Sequence, residues 1–173
     1  MTNEKFNIVE NVEQLTVSVS GEISAETLFP NITPKPQQNK LHLVLDNAGY
    51  VNSSGIQGWI SWISGLQRNY PNLQFSVQML PANFARLAHH IRDFFPKNVT
   101  VESFIAPYFC SNCNSSFNLV YKSGANWKLT WTPKELSKEI AKAKCSTCES
   151  LADIDTVAEA YEKFQPVPIL KIK

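Results

Sequence analysis

Four cysteines stand in two C-x-x-C pairs, Cys110 with Cys113 and Cys145 with Cys148. Cysteines with two residues between them can reach one metal ion from a single turn, and two such pairs supply the four thiolates of a tetrahedral site. Thiolates at all four positions leave no place for a reactive water, so such a centre holds shape and does not activate a nucleophile. Zinc suits a closed thiolate site with no redox demand. The pattern therefore predicts a structural Zn(2+) held by Cys110, Cys113, Cys145 and Cys148. The competing chemistry for the same thiols is a disulfide or redox pair, which predicts reversible oxidation with release of the metal. Between the pairs lie 31 residues, positions 114–144, more than the roughly 15 to 20 of a compact ribbon, so the insert must fold as part of the module.

A second stretch with chemistry in it is NSSG, Asn52 to Gly55, which follows an apolar run and opens a helical pattern. Ser54 and Gln57 fit the S-x-x-Q capping box, in which the hydroxyl accepts from a first-turn N–H and Gln57 reaches back. Ser53 stands one position earlier, where its hydroxyl would project into solvent beside the free N–H groups of the helix start. A phosphate there would add about −1.5 to −2 charges and alter docking without damaging the helix. The plainer alternative is that both serines only shape the helix start. His42 lies in a strand, and His89 and His90 lie in a helix with no acidic or cysteine cluster nearby in sequence, so all three are read as structural. No catalytic set emerges.

The elements that must position these residues follow from periodicity. Lys5 to Glu10 and Leu15 to Ser20 read as a hairpin around NVEQ, the second arm alternating Leu15, Val17 and Val19 with polar residues. Glu22 to Phe29 reads as a short helix ended by Pro30, and NITPKPQQNK as a loop. The strand LHLVL (Leu41 to Leu45) leads to a helix from about Ser54, with Ile56, Trp59, Ile60, Ile63 and Leu66 on one face, closed by NYPN. Leu73 to Leu80 is the next strand. Phe84, Leu87, Ala88, Ile91 and Phe94 or Phe95 then mark a helix that Pro96 ends, and Val99 to Ile105 is the last strand. A hairpin followed by strand and helix units predicts an α/β fold over residues 1–106, a mixed β-sheet with helices packed on it.

Residues 107–173 change pattern and form a small zinc-ribbon-like module. It contains the first C-x-x-C, a hairpin in FNLVYKSGANWKLTW, a lysine-rich helix after Pro133, the second C-x-x-C and a helix from about Ser150 to Phe164. The stripe Leu151, Ile154, Val157, Ala158, Tyr161 and Phe164 would pack back on the domain, with binding of a partner helix as the alternative, and the closing PVPILKIK suits a sheet edge.

GEISAET from Gly21, and LVLDNAGYVNSSGIQGW from Leu43 to Trp59, resemble the STAS domains of bacterial anti-sigma factor antagonists over roughly residues 5–106. Gly21 matches the family glycine, Asp46 the aspartate after the strand, Ser53 the phosphorylatable serine, and Ser54 and Gly55 the rest of that motif. Asn52 stands where the family has Asp, keeping the hydrogen-bonding shape and removing the charge. The resemblance implies a STAS-like fold, phosphorylation of Ser53 by a partner kinase, and an interaction surface of Asn52, Ser53, Ser54, Gly55, Ile56 and Trp59. The implied partner is a regulatory protein, such as an anti-sigma factor or related serine kinase.

The 173 residues are 43% hydrophobic, enough for one core and a small accessory, and carry a net charge of +1. So even a balance gives no field that would draw the whole chain to nucleic acid or anionic lipid. Lys134, Lys138 and Lys142 recur every fourth residue and could face phosphates, but Glu135 and Glu139 interleave with them, which favours a solvated face. Trp127 and Trp131 are expected in the module's own core and not stacked on bases. The polar, acidic start MTNEKFNIVENVEQ lacks a signal peptide's pattern, and no segment has the length of a membrane span, so a cytoplasmic location is expected. Taken together, the residues predict a non-catalytic regulatory protein-interaction domain stabilised by zinc. The alternatives are a zinc-ribbon nucleic-acid-binding adaptor and a thiol-based redox sensor.

Overall fold

A computed structural model describes residues 5–165. Strands β1 (Phe6–Glu10) and β2 (Gln14–Ile23) form the antiparallel hairpin that their alternation predicts. Asn11 sets its turn, its side-chain oxygen accepting from the N–H groups of Glu13 and Gln14 at 3.0 and 2.7 Å. β3 (Lys40–Val51), β4 (Gln74–Gln78) and β5 (Thr100–Val101) then add in parallel, so the five strands lie in sequence order. Helix α1 (Ser53–Asn69) connects β3 to β4, and α2 (Ala82–His90) connects β4 to β5.

The register aligns Leu15, Leu41 and Phe75 in one row and Val17, Leu43 and Val77 in the next, and all six are buried. A period of two sends the alternate row, Thr16, His42 and Ser76, to the opposite face. Trp59 of α1 lies with its ring 5.4 Å from Phe84 of α2, so both helices cover the same side of the sheet.

The segment Glu22 to Phe29 is not a helix. β2 continues to Ile23 and β3 to Val51, with register shifts at Ser20 and again after Gly21, whose φ of +70° suits glycine. Pairing with β3 outweighs the weak helical pattern, and a tight turn follows in which Ser24 N–H donates to Thr27 Oγ1 at 2.8 Å. The proline-rich loop is tied down as well. The Phe29 and Trp62 rings stack at 5.5 Å, and Trp62 Nε1 donates to Pro30 O at 3.0 Å.

Two further boundaries differ from expectation. α2 ends at His90, and Phe94 and Phe95 enter the core from the turn beyond it, where Asp93 has a φ of +61°. The segment Val99 to Ile105 is two strands: β5 closes the first sheet, and β6 (Ser103–Cys110) begins a second. β6 thus runs straight through Ala106.

The second sheet is antiparallel, in the order β7 (Ser115–Lys122), β6, β9 (Leu151–Ile154), β8 (Lys142–Lys144). Only the first arm of the expected Phe117 to Trp131 hairpin is a strand, and its partner is β6. Trp127 instead turns inward, buried, with its indole N–H donating to Gln165 Oε1. Helix α3 (Pro133–Ile140) starts as Pro133 suggests, with Thr132 and Glu135 completing a capping box.

The expected helix from Ser150 to Phe164 is replaced by β9 and a 3₁₀ helix, Ala158–Phe164. The apolar spacing there does not distinguish the two, and β9 is held because both β6 and β8 pair with it. The 3₁₀ helix does pack back: Tyr161 OH donates to Ile105 O at 2.7 Å, and the Phe164 ring lies 6.3 Å from Phe95. Both sheets share one apolar core. PVPILKIK beyond Gln165 lies outside the described residues. Among those described, no helix is long and apolar enough to cross a membrane.

A Cβ on Gly55 would stand 2.2 Å from Ile23 O, whereas one on Gly65 of the same helix meets nothing within 4 Å. Gly55→Ala should therefore destabilise by about 1–3 kcal/mol or more, while Gly65→Ala should stabilise by about 0.5–1 kcal/mol. Urea denaturation of both variants checks the contrast.

Candidate metal centre and serine turn

Each cysteine pair sits in the turn of a hairpin. Cys110 ends β6 and Cys113 lies before β7, while Cys145 follows β8 and Cys148 precedes β9. β6 and β9 are antiparallel neighbours, with Tyr108 opposite Ile154 and Phe109 opposite Asp153, which sets the end of β6 beside the start of β9. Both turns therefore meet at one end of the sheet. The residue after each second cysteine, Asn114 (φ +53°) or Glu149 (φ +63°), is left-handed, so the chain reverses in the same manner in each.

The four sulfurs lie within 4.8 Å of one another, and across the two turns Cys110 pairs with Cys148 and Cys113 with Cys145 at 3.6 Å each. A tetrahedron with metal–sulfur bonds of about 2.3 Å has edges of about 3.8 Å, so the set has the dimensions of a metal centre. None of the four is in a disulfide. Cys110 and Cys145 are buried, whereas Cys113 and Cys148 reach partly toward solvent.

Neighbouring donors favour the thiolate form at Cys145 and Cys148, whereas Cys110 is pushed up to about 11. The Ser115 hydroxyl, 3.4 Å from Cys145 Sγ, and then the backbone around Cys148 and Thr147 pull the Cys145 thiol down to about 5. The Asn112 amide, donating to Cys148 Sγ at 3.4 Å, and then Ser150 pull Cys148 down to about 7. Thiolate is the form that ligates metal. The four cysteines thus form a set able to hold a metal ion. Ser115 and Asn112 carried no sequence signal of this role, since a hydroxyl or amide near a C-x-x-C becomes meaningful only once the two turns are brought together.

At the serine turn, Asn52 is the cap: its side-chain oxygen accepts from Gly55 N–H at 2.8 Å, and α1 begins at Ser53. The expected Ser54 and Gln57 capping box does not form, because a strong capping residue already stands two positions earlier. Ser53 and Ser54 are exposed, and Ile56 is half-buried. Trp59 is not part of a surface. It is fully buried, with Nε1 donating to Phe94 O at 2.8 Å, and Gly55 is buried against Ile23. The rest of the apolar face of α1 likewise turns to the core, with Ile63 and Leu66 buried. A cleft of about 100 Å³ beside Ser53 is lined by Tyr50, Ile56, Asn83 and Arg86 among others. Tyr50 (64% exposed) and Arg86 belong to this surface through the length of β3 and the placement of α2, which local motifs do not reveal.

The His42 ring is held by polar neighbours, with Nδ1 2.7 Å from Ser76 Oγ and Nε2 3.1 Å from Gln78 Oε1. The lysine stripe does not exist as a single face. α3 ends at Ile140, leaving Lys134 and Lys138 on the helix and placing Lys142 and Lys144 in β8. There Lys142 pairs with Asp153 at 3.8 Å and Lys144 with Glu149 at 3.2 Å. Comparison with known proteins returns no match: no family model fits the chain, and no curated protein and no solved structure is significantly similar to it.

Purified protein should carry one metal ion per chain by elemental analysis, and Cys113→Ser should lose it. Ser115→Ala removes the donor that holds Cys145 low, so protons compete sooner. Metal affinity should fall about 10-fold, and the pH of half-release should move upward in an acid titration.

Proposed function

We propose that this chain is a cytoplasmic, non-catalytic regulatory protein-interaction domain of STAS type. A regulatory protein docks over the Ser53 turn, and phosphorylation of Ser53 by a partner serine kinase switches that docking. A structural zinc held by Cys110, Cys113, Cys145 and Cys148 stiffens the C-terminal module.

The observation that carries the reading is the division of labour between Asn52 and Ser53. Asn52 supplies the helix cap, so the Ser53 hydroxyl is exposed and has no hydrogen-bond partner among the described residues. It is available for modification without cost to the helix. The five strands in sequence order, opened by a hairpin, support the STAS-type part, and a closed set of four thiolates supports zinc over a metal that needs an open position.

Docking then uses Asn52, Ser53, Ser54 and Ile56 together with Tyr50, with Trp59 bracing the helix from behind. New negative charge under a packed partner is repelled and poorly solvated. A nucleic-acid adaptor gains little support, because Lys142 lies off the helix that carries Lys134 and Lys138 and is paired with Asp153. The redox reading keeps one supporting observation, the 3.6 Å approaches across the two turns. Mass spectrometry after mild oxidant tests it.

Affinity capture with wild type, Ser53→Ala and Ser53→Asp is the direct experiment. Ser53→Asp should lose the regulatory partner by about 10-fold or more, and Ser53→Ala should keep it while no longer taking up phosphate from a kinase. Identical partners and affinities for all three proteins would remove the switch.

A further inference from the structure

A cavity of about 260 Å³ opens where the turn after α2 meets the 3₁₀ helix. Three cations line it, Arg92 and Lys97 from the turn and Lys163 from the 3₁₀ helix. Among the described residues none of the three is ion-paired; the ion pairs there involve Lys35, His42, Lys142 and Lys144. The one carboxylate lining the cavity, on Asp93, belongs to none of these pairs.

Lys163 is also anchored. Its Nζ donates to Ala88 O at 2.6 Å, which uses one of its three donors and fixes where the charge sits. In a chain whose net charge is only +1, three cations against the single Asp93 carboxylate in one hollow are a local excess that a bound anion would relieve.

The floor of the same cavity is apolar. Phe95 and Phe164 lie edge to face at 6.3 Å and expose only 3% and 8% of their surface, with Pro96 beside them. An inorganic anion would engage the cations and leave this floor wet. An anion with an apolar body satisfies both, and burying that body adds affinity. The Arg92 guanidinium can grip two oxygens of one group in parallel, a geometry that matches phosphate. A cavity of this volume falls just below the roughly 300–1,000 Å³ of sites for drug-sized ligands, which leaves no room for a dinucleotide.

We propose that this cavity is a binding site for a small phosphate monoester, its phosphate among Arg92, Lys97 and Lys163 and its apolar body over Phe95 and Phe164. Because Lys163 follows the second sheet and Arg92 and Lys97 come from the first, the ligand joins the two halves and stabilises the folded chain by mass action. The site involves neither Ser53 nor the cysteines, so it stands or falls independently of the function proposed above.

Titration calorimetry of the full chain at low salt, with phenyl phosphate and inorganic phosphate as probes, tests the site. Phenyl phosphate should bind at least ~10-fold more tightly than inorganic phosphate, and Arg92→Ala/Lys97→Ala should weaken it at least ~10-fold. Arg68→Ala, which alters an exposed charge at the end of α1, should leave binding unchanged. Arg92 and Lys97 are exposed, so the double variant should keep the wild-type melting temperature, and the single Lys97→Glu variant provides a second reading of the same loss. No binding of phenyl phosphate, equal affinity for the two probes, or undiminished binding by the double variant would each overturn the assignment.

Discussion

The indole of Trp59 is the contact on which the other elements converge. It is fully buried and meets Phe84 of α2, Phe94 and Phe95 of the following turn, and Phe29 of the proline-rich loop, all with ring centroids between 5.4 and 6.4 Å. Its one polar atom is satisfied by Phe94 O, so a large side chain enters the core without an unpaired donor. Aromatic side chains of this kind contribute about 3–5 kcal/mol on truncation. Here the same ring also sets the position of α1 over the sheet, and therefore where the Ser53 turn is presented.

Through Phe95 the network continues to Phe164 and so to the second sheet. The two sheets are bound by this apolar continuity and by β6, which leaves the first sheet at Glu102 and carries its backbone directly to Cys110. The cysteine centre is at the far end of that strand. A metal there would close the two hairpin turns on each other and hold the β6 and β9 ends in register, a role suited to a small module with little core of its own.

The interior of the frame is apolar, and both proposed sites lie at its turns. On the other face of the first sheet, His42 is held by Ser76 and Gln78. The two proposed sites are the exposed start of α1 and the cationic hollow beside the 3₁₀ helix. Each lies on a segment that joins regular elements, where the scaffold can hold a side chain firmly and still leave it accessible.

Local pattern alone sufficed for the residues whose neighbours in sequence are their neighbours in space. The β1 and β2 hairpin, the apolar face of α1, the start of α3 at Pro133 and the two C-x-x-C turns were all legible from spacing, because a period of two or 3.6 and a two-residue gap are local geometry. Pairing between distant segments decided the rest. β3 prolongs β2 where a helix was expected, β6 and β8 flank Leu151 to Ile154 and make it a strand, and α3 stops early enough to divide Lys134 and Lys138 from Lys142. That Ser115 and Asn112 serve the sulfurs, that Trp59 turns inward, and that Lys163 joins Arg92 and Lys97 are likewise consequences of long-range contact. A backbone hydrogen bond to a strand remote in the chain outweighs the few tenths of a kcal/mol by which one residue prefers a helix to a strand, and no window of local sequence contains that partner.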